Sequence, residues 1–260
     1  MKISVVIQTF NSGKYLRQCL ESVRNFDEIV VCDMHSSDDT LSIAKEYEAR
    51  IVMHEPCGIV EPARNFAIAQ ATGDWILVVD SDEVIPEALK DCLYRTIASE
   101  NCPDALFLPR KNYFMNRFMR ATFPDYQLRF FKKSAFKEWP VVIHSRPKID
   151  GNISRIPAIV SLAIIHLEEN RISDWISKIN RYSERELERK KHKRKNVAEL
   201  LFKPTYRFFF LYFMKGGFHD GKAGLIYAMI QACYKFFINA KVIERQEQQA
   251  IAKISERKEV

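Results

Sequence analysis

The chain has 260 residues, 47% of them hydrophobic, and a net charge of +7 with a pI near 9.0. This apolar content supports a sizeable core and excludes an intrinsically disordered protein. The six cysteines include no C-x-x-C pair and no zinc-site spacing, which favours reduced thiols in a cytosolic protein. The apolar run after Lys2 is too short for a signal peptide.

Strand and helix patterns alternate over the first hundred residues. Short apolar runs predict strands at 3–9, 28–32, 51–53, 75–79 and 105–108. Start and stop signals predict helices after Gly13, from an N-cap at Asp38 or Asp39, from Pro62 to a closing Gly73, and from Pro86 to about Ser99. This alternation predicts an α/β fold, with a mostly parallel sheet covered by helices on both faces.

Polar side chains follow the first, second and fourth predicted strands. They are Thr9, Asn11, Asp33, Asp80 and Asp82. Because the carboxyl ends of parallel strands meet at one edge, where ligands bind, we expect these residues to converge. Two aspartates one residue apart suit Mg²⁺ or Mn²⁺ held jointly with phosphates. Alternatively, Asp80 and Asp82 only end a strand and cap the next helix.

The chain lacks the two common glycine-rich phosphate-binding motifs. It has no G-x-x-x-x-G-K-[ST], and its first turn has only Gly13 where G-x-G-x-x-G would need closely spaced glycines. The sequence therefore predicts that a metal ion binds the diphosphate by bridging it to two carboxylates.

Three segments together resemble one enzyme family. They read TFNSGKYLRQCLESV from Thr9, DEIVVCDMHSSDDT from Asp27 and RNFAIAQATGDWILVVDSDE from Arg64. Their order and spacing resemble the inverting nucleotide-sugar transferases of glycosyltransferase family 2, whose Rossmann-like fold is called GT-A, over about the first 145 residues. PDYQLRFFKK from Pro124, FKPTYRFFFLYF from Phe202 and GGFHDGKAGLIYA from Gly216 are similar to the lipopolysaccharide-core β-1,4-glucosyltransferase branch.

The resemblance implies a donor site at the sheet edge. In it, Thr9, Asn11 and Asp33 hold the nucleoside, while Asp80 and Asp82 hold Mg²⁺ or Mn²⁺ and the diphosphate. The chain departs from the family pattern twice. Met34 stands where many members have a second aspartate, and Ser145 follows His144 where the branch tends to have a glutamate.

Inverting transfer needs a carboxylate that takes the proton of the attacking acceptor hydroxyl. Asp125 is the predicted base because it matches the family position, and Glu138 is the second candidate. Asp125 could instead be only a turn residue after Pro124.

Six further residues are candidate contacts, each with an ordinary structural explanation beside it. Arg64 would help close the donor pocket, and His166 would be a third metal ligand. Arg129, His144, Lys178 and Arg181 would contact the acceptor or a phosphate. The alternatives are satisfied structural histidines and basic side chains on solvated strand or helix faces.

The chain is predicted to divide into a GT-A domain at 1–170 and a helical region at 171–260. Residues 200–214 and 223–238 mix basic and aromatic side chains, and neither is apolar enough to span a membrane. Such a mixture suits the surface of an anionic bilayer, which predicts a cytoplasmic protein that is peripheral on the inner membrane face. Alternatively, these helices pack on the catalytic domain or on a second copy.

The first functional hypothesis is an enzyme that moves a hexose, such as glucose, from a UDP-sugar to a lipid-linked glycan. One alternative is transfer to a polyprenyl phosphate. A different class is a non-enzymatic adaptor that binds a membrane or nucleic acid through the basic cluster at 189–195. Such an adaptor would have no use for Asp80 and Asp82, so the enzyme is preferred and no nucleic-acid partner is expected.

Overall fold

The computed structural model describes residues 1–56, 58, 60–142, 145–167, 172–189 and 196–256. It forms two compact units. The first contains Met1–Asn112 and Phe123–Glu168, and the second contains Tyr113–Thr122 and Glu169–Val260.

Twelve strands and four helices precede the C-terminal helices in the described ranges. The strands are β1 (Ile3–Thr9), β2 (Glu28–Asp33), β3 (Arg50–Met53), β4 (Trp75–Asp80), β5 (Glu83–Val84), β6 (Ala105–Phe114), β7 (Arg117–Phe118), β8 (Asp125–Lys132), β9 (Phe136–Glu138), β10 (Lys148–Ile149), β11 (Ile153–Arg155) and β12 (Ile164–His166). The helices are α1 (Gly13–Val23), α2 (Thr40–Glu46), α3 (Glu61–Gln70) and α4 (Glu87–Ile97).

The main sheet has a parallel half and a mixed half. Its order is β3-β2-β1-β4-β8-β6-β12-β5, and the first four strands are parallel to one another. Strand β8 then runs antiparallel to both β4 and β6, while β12 is parallel to β6. The predicted GT-A arrangement is confirmed, and the mixed half places β8 directly beside β4.

Apolar side chains cover both faces of the parallel half. All residues of β1 are buried, and so is β4 from Trp75 to Val79. One core cluster joins alternate residues of these strands to α1, α2 and α4, and a second joins the other residues to α3. Because successive strand residues point to opposite faces, these continuous apolar runs require helices on both sides.

Two boundaries differ from the sequence predictions. Helix α3 ends at Gln70, so Gly73 does not close it. A Cβ at Gly73 would lie 2.8 Å from the Ser4 backbone nitrogen and 2.9 Å from the Lys2 carbonyl oxygen, so this glycine permits a close approach to β1. Strand β6 continues to Phe114 rather than ending at Leu108, because its second half pairs with β8 and β12.

The second unit is mainly helical. Its helices are α5 (Ile172–Arg189), α6 (Val197–Phe209), which continues as a π-helix over Phe210–Met214, and α7 (Gly221–Glu256). Helices α5 and α6 both pack on α7. Within the described part of the chain, we find no helix whose length and apolar character would let it cross a bilayer.

Candidate functional site

The carboxyl ends of β1 and β2 bring the predicted nucleoside residues together. Thr9 lies beside Asp33 in the strand register, and its hydroxyl donates to the buried Asp33 carboxylate at 2.8 Å. Asp33 also accepts from the Ser36 backbone nitrogen at 2.8 Å and from the Ser36 hydroxyl at 2.6 Å. The Asn11 side-chain oxygen Oδ1 accepts from the Ser37 backbone nitrogen at 2.8 Å. These bonds fix the two loops at this edge, and the nucleoside role of the three residues stays a prediction.

The end of β4 carries a carboxylate bound by two arginines. Asp80 Oδ1 accepts from Arg64 Nη2 at 2.6 Å and from Arg129 Nη1 at 3.1 Å, and Asp80 Oδ2 accepts from Arg129 Nη2. Arg64 is 8% exposed and Arg129 is 5% exposed. The Trp139 ring packs against both guanidinium groups, at 4.7 Å and 5.9 Å from its centroid. Arg129 therefore belongs to the interior of the site and not to a solvated strand face.

The two arginines determine the charge state of Asp80. Burial alone would raise the pKa of this carboxyl, but the positive charges of Arg129 and Arg64 outweigh it and hold the pKa well below its usual range. Asp80 is therefore ionised at neutral pH, and its negative charge neutralises one of the two positive charges of Arg64 and Arg129. Its predicted role as a metal ligand stays a prediction.

A third arginine joins the predicted base to a buried glutamate. Arg110 donates through Nη1 to Glu83 at 2.9 Å and through Nη2 to Asp125 Oδ2 at 2.7 Å. Glu83 is fully buried and also accepts from the Asp80 backbone nitrogen at 3.0 Å. Since Asp125 lies opposite Arg110 where β8 begins, the antiparallel β6–β8 pairing places the base beside the β4 end.

Asp125 accepts hydrogen bonds unequally on its two oxygens. Oδ2 accepts from Arg110 and, at 3.1 Å, from Asn112, whereas Oδ1 accepts from Gln127 at 2.8 Å. Burial raises the pKa of Asp125, but the Arg110 charge and these hydrogen bonds outweigh it and hold the pKa below the usual range. The carboxylate is therefore ionised at neutral pH, as a proton acceptor must be.

Asp82 and His166 form a possible pair of metal ligands. His166 Nε2 lies 3.3 Å from Asp82 Oδ2, and His166 Nδ1 bonds to Asn112 Oδ1 at 2.9 Å. Two ligands of one octahedral cation, each about 2.1 Å from it, stand about 3 Å apart. A histidine ligand whose other ring nitrogen is held by an oxygen is the usual arrangement around a protein-bound metal.

The donor set fits a divalent cation that shares its ligands with a substrate. Among the residues that the structure describes, no group of three or more histidine, cysteine or acidic side chains could hold a metal by itself. Mg²⁺ and similar ions typically use one or two protein ligands together with substrate phosphates. Asp82 and His166 meet that requirement.

Three further predicted candidates are described by the structure, and one is not. Glu138 is an exposed residue of β9 that pairs with Lys148 at 2.6 Å. Lys178 and Arg181 lie on α5 in the second unit, and neither lines the apolar groove of about 700 Å³ between α5 and α7. His144 lies outside the described residues. The predicted roles of these four residues stay predictions.

Sequence reasoning missed four members of the cluster, which are Glu83, Arg110, Asn112 and Trp139. Glu83 directly follows Asp82 in the sequence, so its position next to the predicted metal ligands could have identified it as a site residue. Arg110 and Asn112 belong to the half of β6 that the apolar pattern did not predict. Their alternation at i and i+2, on one face of a strand, was the only local indication.

Comparisons with known proteins point to one enzyme family. A model described as Glycosyl transferase family 2 matches residues 4–147, which is more than half of the chain. The lipopolysaccharide core biosynthesis glycosyltransferase LpsC of Rhizobium meliloti is 26% identical over 94% of this chain and 93% of its own length. An uncharacterized glycosyltransferase of Rickettsia felis is 29% identical over 94% of this chain and 90% of its own length.

A solved structure supports the same fold. S. aureus TarS (1–349) in complex with UDP-GlcNAc aligns with a TM-score of 0.50 at 18% identity, covering 96% of this chain and 92% of that chain. At this identity the likeness concerns the fold alone.

Proposed function

The chain belongs to glycosyl transferase family 2, and on that basis we propose that it moves a hexose from a UDP-sugar to a lipid-linked glycan with inversion. The observation that carries the proposal is the meeting of three groups at one sheet edge. They are an arginine pair held by Asp80, the Asp82–His166 pair, and the ionised Asp125. These are a phosphate clamp, a cation site and a base, the parts that transfer from a nucleotide diphosphate requires.

Asp125 takes the proton of the acceptor hydroxyl. As that oxygen attacks the anomeric carbon, the bond from this carbon to the diphosphate oxygen breaks, and the leaving diphosphate keeps the electron pair. Oδ1 is the oxygen that we assign to the proton, because Oδ2 is bound by Arg110 and Asn112. Arg110 holds the carboxylate in place through its second bond to Glu83.

Arg64 and Arg129 face the charge that develops on the diphosphate. Asp80 fixes both guanidinium groups before the donor arrives, so their orientation costs little on binding. Asp82 and His166 would hold Mg²⁺ or Mn²⁺, which supplies positive charge to the leaving diphosphate when bound. Thr9, Asn11 and Asp33 would hold the nucleoside at the adjoining strand ends.

A lipid-linked acceptor is supported by the surface of α6 and the π-helix, which we call the aromatic stripe. It consists of Leu201, Phe202, Tyr206, Phe209 and Phe213, all more than half exposed. No acidic residue occurs at 200–219, whereas Lys203, Arg207 and Lys215 do. Glu199 at the start of α6 pairs with Lys203, and the apolar face still carries an excess of cations, which suits the surface of an anionic bilayer. The matched relative LpsC, named for lipopolysaccharide core biosynthesis, points to the same class of acceptor.

The experiment that tests the function is a transfer assay. Purified protein is incubated with Mn²⁺, a nucleotide sugar such as UDP-glucose or another UDP-hexose, and either a rough lipooligosaccharide or a polyprenyl phosphate as acceptor. The products are analysed by mass spectrometry. We expect one hexose to be added to the intact lipid-linked glycan. Transfer only to a polyprenyl phosphate would replace the proposed acceptor, and no transfer from any nucleotide sugar would contradict the proposal.

Membrane binding through the aromatic stripe gives a separate prediction. Replacing Phe202, Phe209 and Phe213 together with Ser should weaken binding to phosphatidylglycerol-containing vesicles by about 100-fold, since each ring contributes about 1 kcal/mol or more when inserted. Cosedimentation measures the change. Met53→Ser is the matched control, because Met53 is an apolar side chain of the first unit that is 42% exposed. Equal binding by the triple variant and the control would show that the stripe does not contact the bilayer.

A further inference from the structure

We propose that Asn112 is a positioning residue that fixes the ring tautomer of His166 and so directs His166 Nε2 toward a divalent cation. The inference rests on the proposed function, because it concerns the cation site of the same reaction. It adds a residue that has no role in the strand-end motifs. Asn112 would bind neither the cation nor the substrate itself; it hydrogen-bonds to His166 Nδ1 and to Asp125 Oδ2, and it acts through His166.

The sheet order places four side chains in sequence across neighbouring strands. Asp125 lies at the start of β8, and Asn112 lies on the adjacent strand β6. His166 lies directly opposite Asn112 on β12 and opposite Glu83 on β5, the residue after Asp82. Asp125 therefore contacts Asn112, Asn112 contacts His166, and His166 contacts Asp82, which connects the base to the cation site.

The charge of Asp125 decides which way the Asn112 amide points. An ionised carboxylate only accepts hydrogen bonds, so the group 3.1 Å from Asp125 Oδ2 must be the Asn112 NH₂. The amide oxygen then faces His166. Because that oxygen also only accepts, His166 Nδ1, 2.9 Å away, must carry the hydrogen.

The tautomer of the neutral ring follows from these two bonds. With the hydrogen on Nδ1, Nε2 carries the lone pair, and Nε2 is the atom 3.3 Å from Asp82 Oδ2. A lone pair on nitrogen next to a carboxylate oxygen is a ligand set for a cation. Without the Asn112 amide, Nδ1 would lose this acceptor, and the Asp82 carboxylate would favour hydrogen on Nε2, the atom that would bind the cation.

The test compares Asn112→Leu, which has a similar size and no polar atoms, with the wild type in two measurements. Nitrogen-15 NMR of histidine-labelled, metal-free protein reports the His166 tautomer, and His166→Gln assigns its signals. Electron paramagnetic resonance of free Mn²⁺, in the presence of UDP, reports metal affinity. We expect a wild-type ring with hydrogen on Nδ1, a shift of that hydrogen toward Nε2, which faces the Asp82 carboxylate, in Asn112→Leu, and Mn²⁺ binding weaker by about 10–100-fold in that variant.

A double exchange controls for general disruption of the site. In Asn112→Asp combined with Asp125→Asn, residue 112 still presents an oxygen acceptor to His166 Nδ1. The amide now lies at position 125 on β8, where it can donate to residue 112. Compared with Asn112→Leu, this variant should recover the wild-type ring, with hydrogen on His166 Nδ1, and the Mn²⁺ affinity. It should not recover turnover, since it lacks the base. A merely structural role for Asn112 would not give that separation.

Two results would overturn the inference. If wild type binds Mn²⁺ and Asn112→Leu keeps both the tautomer and an affinity within twofold, Asn112 does not position His166, and the proposed function survives. If wild type does not bind Mn²⁺ even in the presence of UDP, the inference fails together with the cation site of the proposed function.

Discussion

Replacing Asp125 with Asn is expected to lower turnover by about 10²–10⁴-fold, the usual contribution of a positioned general base. The variant keeps the size of the side chain but cannot take the acceptor proton. Donor affinity should fall by far less than turnover, because the arginine pair and the Asp82–His166 pair do not include Asp125. Initial rates of sugar transfer and calorimetric binding of UDP measure the two quantities.

Glu138→Gln is the matched control for this experiment. Glu138 is the second candidate base from the sequence, and it pairs with Lys148 on the surface. We expect near-normal turnover in this variant. The opposite pattern, with normal turnover in Asp125→Asn and a large loss in Glu138→Gln, would transfer the role of base to Glu138.

Replacing Asp80 with Ala should destabilise the protein by about 3–5 kcal/mol, because it leaves Arg64 and Arg129 buried without their carboxylate. A loss of this size corresponds to a fall in melting temperature on the order of 10 °C. Thermal unfolding followed by circular dichroism at pH 7 measures it.

Asp82→Ala is the control, since the side chains of Asp80 and Asp82 are each 29% exposed. Asp82 pairs with one histidine, so its loss should cost about 1 kcal/mol or less. Equal melting temperatures for the two variants would show that Asp80 does not hold the arginine pair.

The same ion pairs predict the direction of acid unfolding. The pKa values of Asp80 and Asp125 are lower in the folded protein than in the unfolded chain. The stability that these carboxylates contribute is therefore fully present above the unfolded-state pKa, about 3.9 for aspartate, and is lost as the pH falls further toward the folded-state values. Asp80→Ala should consequently lose less stability than wild type between pH 5 and 3, as denaturant titrations would measure.

The parallel half of the sheet was predictable because its signals are local. The apolar runs of β1, β2 and β4 each end in a polar residue, and parallel pairing aligns those ends. Thr9, Asp33 and Asp80 therefore converge as the sequence predicts. The resemblance to a known family supplied Asp125, which no local pattern distinguishes from a turn residue.

The partners of these residues were not predictable from local pattern. Asp80 is held by arginines that are 16 and 49 positions away in the chain, on α3 and β8. Arg110 and Asn112 reach the site only because β6 lies between β8 and β12 in the mixed half of the sheet. Antiparallel register between distant strands depends on packing of the whole sheet, so hydrophobic periodicity carries little information about it.

The central claim is that the edge beside β4 binds a nucleotide diphosphate together with a divalent cation. Calorimetric titration of the purified protein with UDP, GDP and their sugar conjugates, with and without Mn²⁺, tests it without knowledge of the acceptor. We predict binding of UDP and a UDP-hexose that requires Mn²⁺ and is lost in Asp82→Ala. Binding of none of these ligands, or binding that neither Mn²⁺ nor Asp82→Ala changes, would contradict the claim.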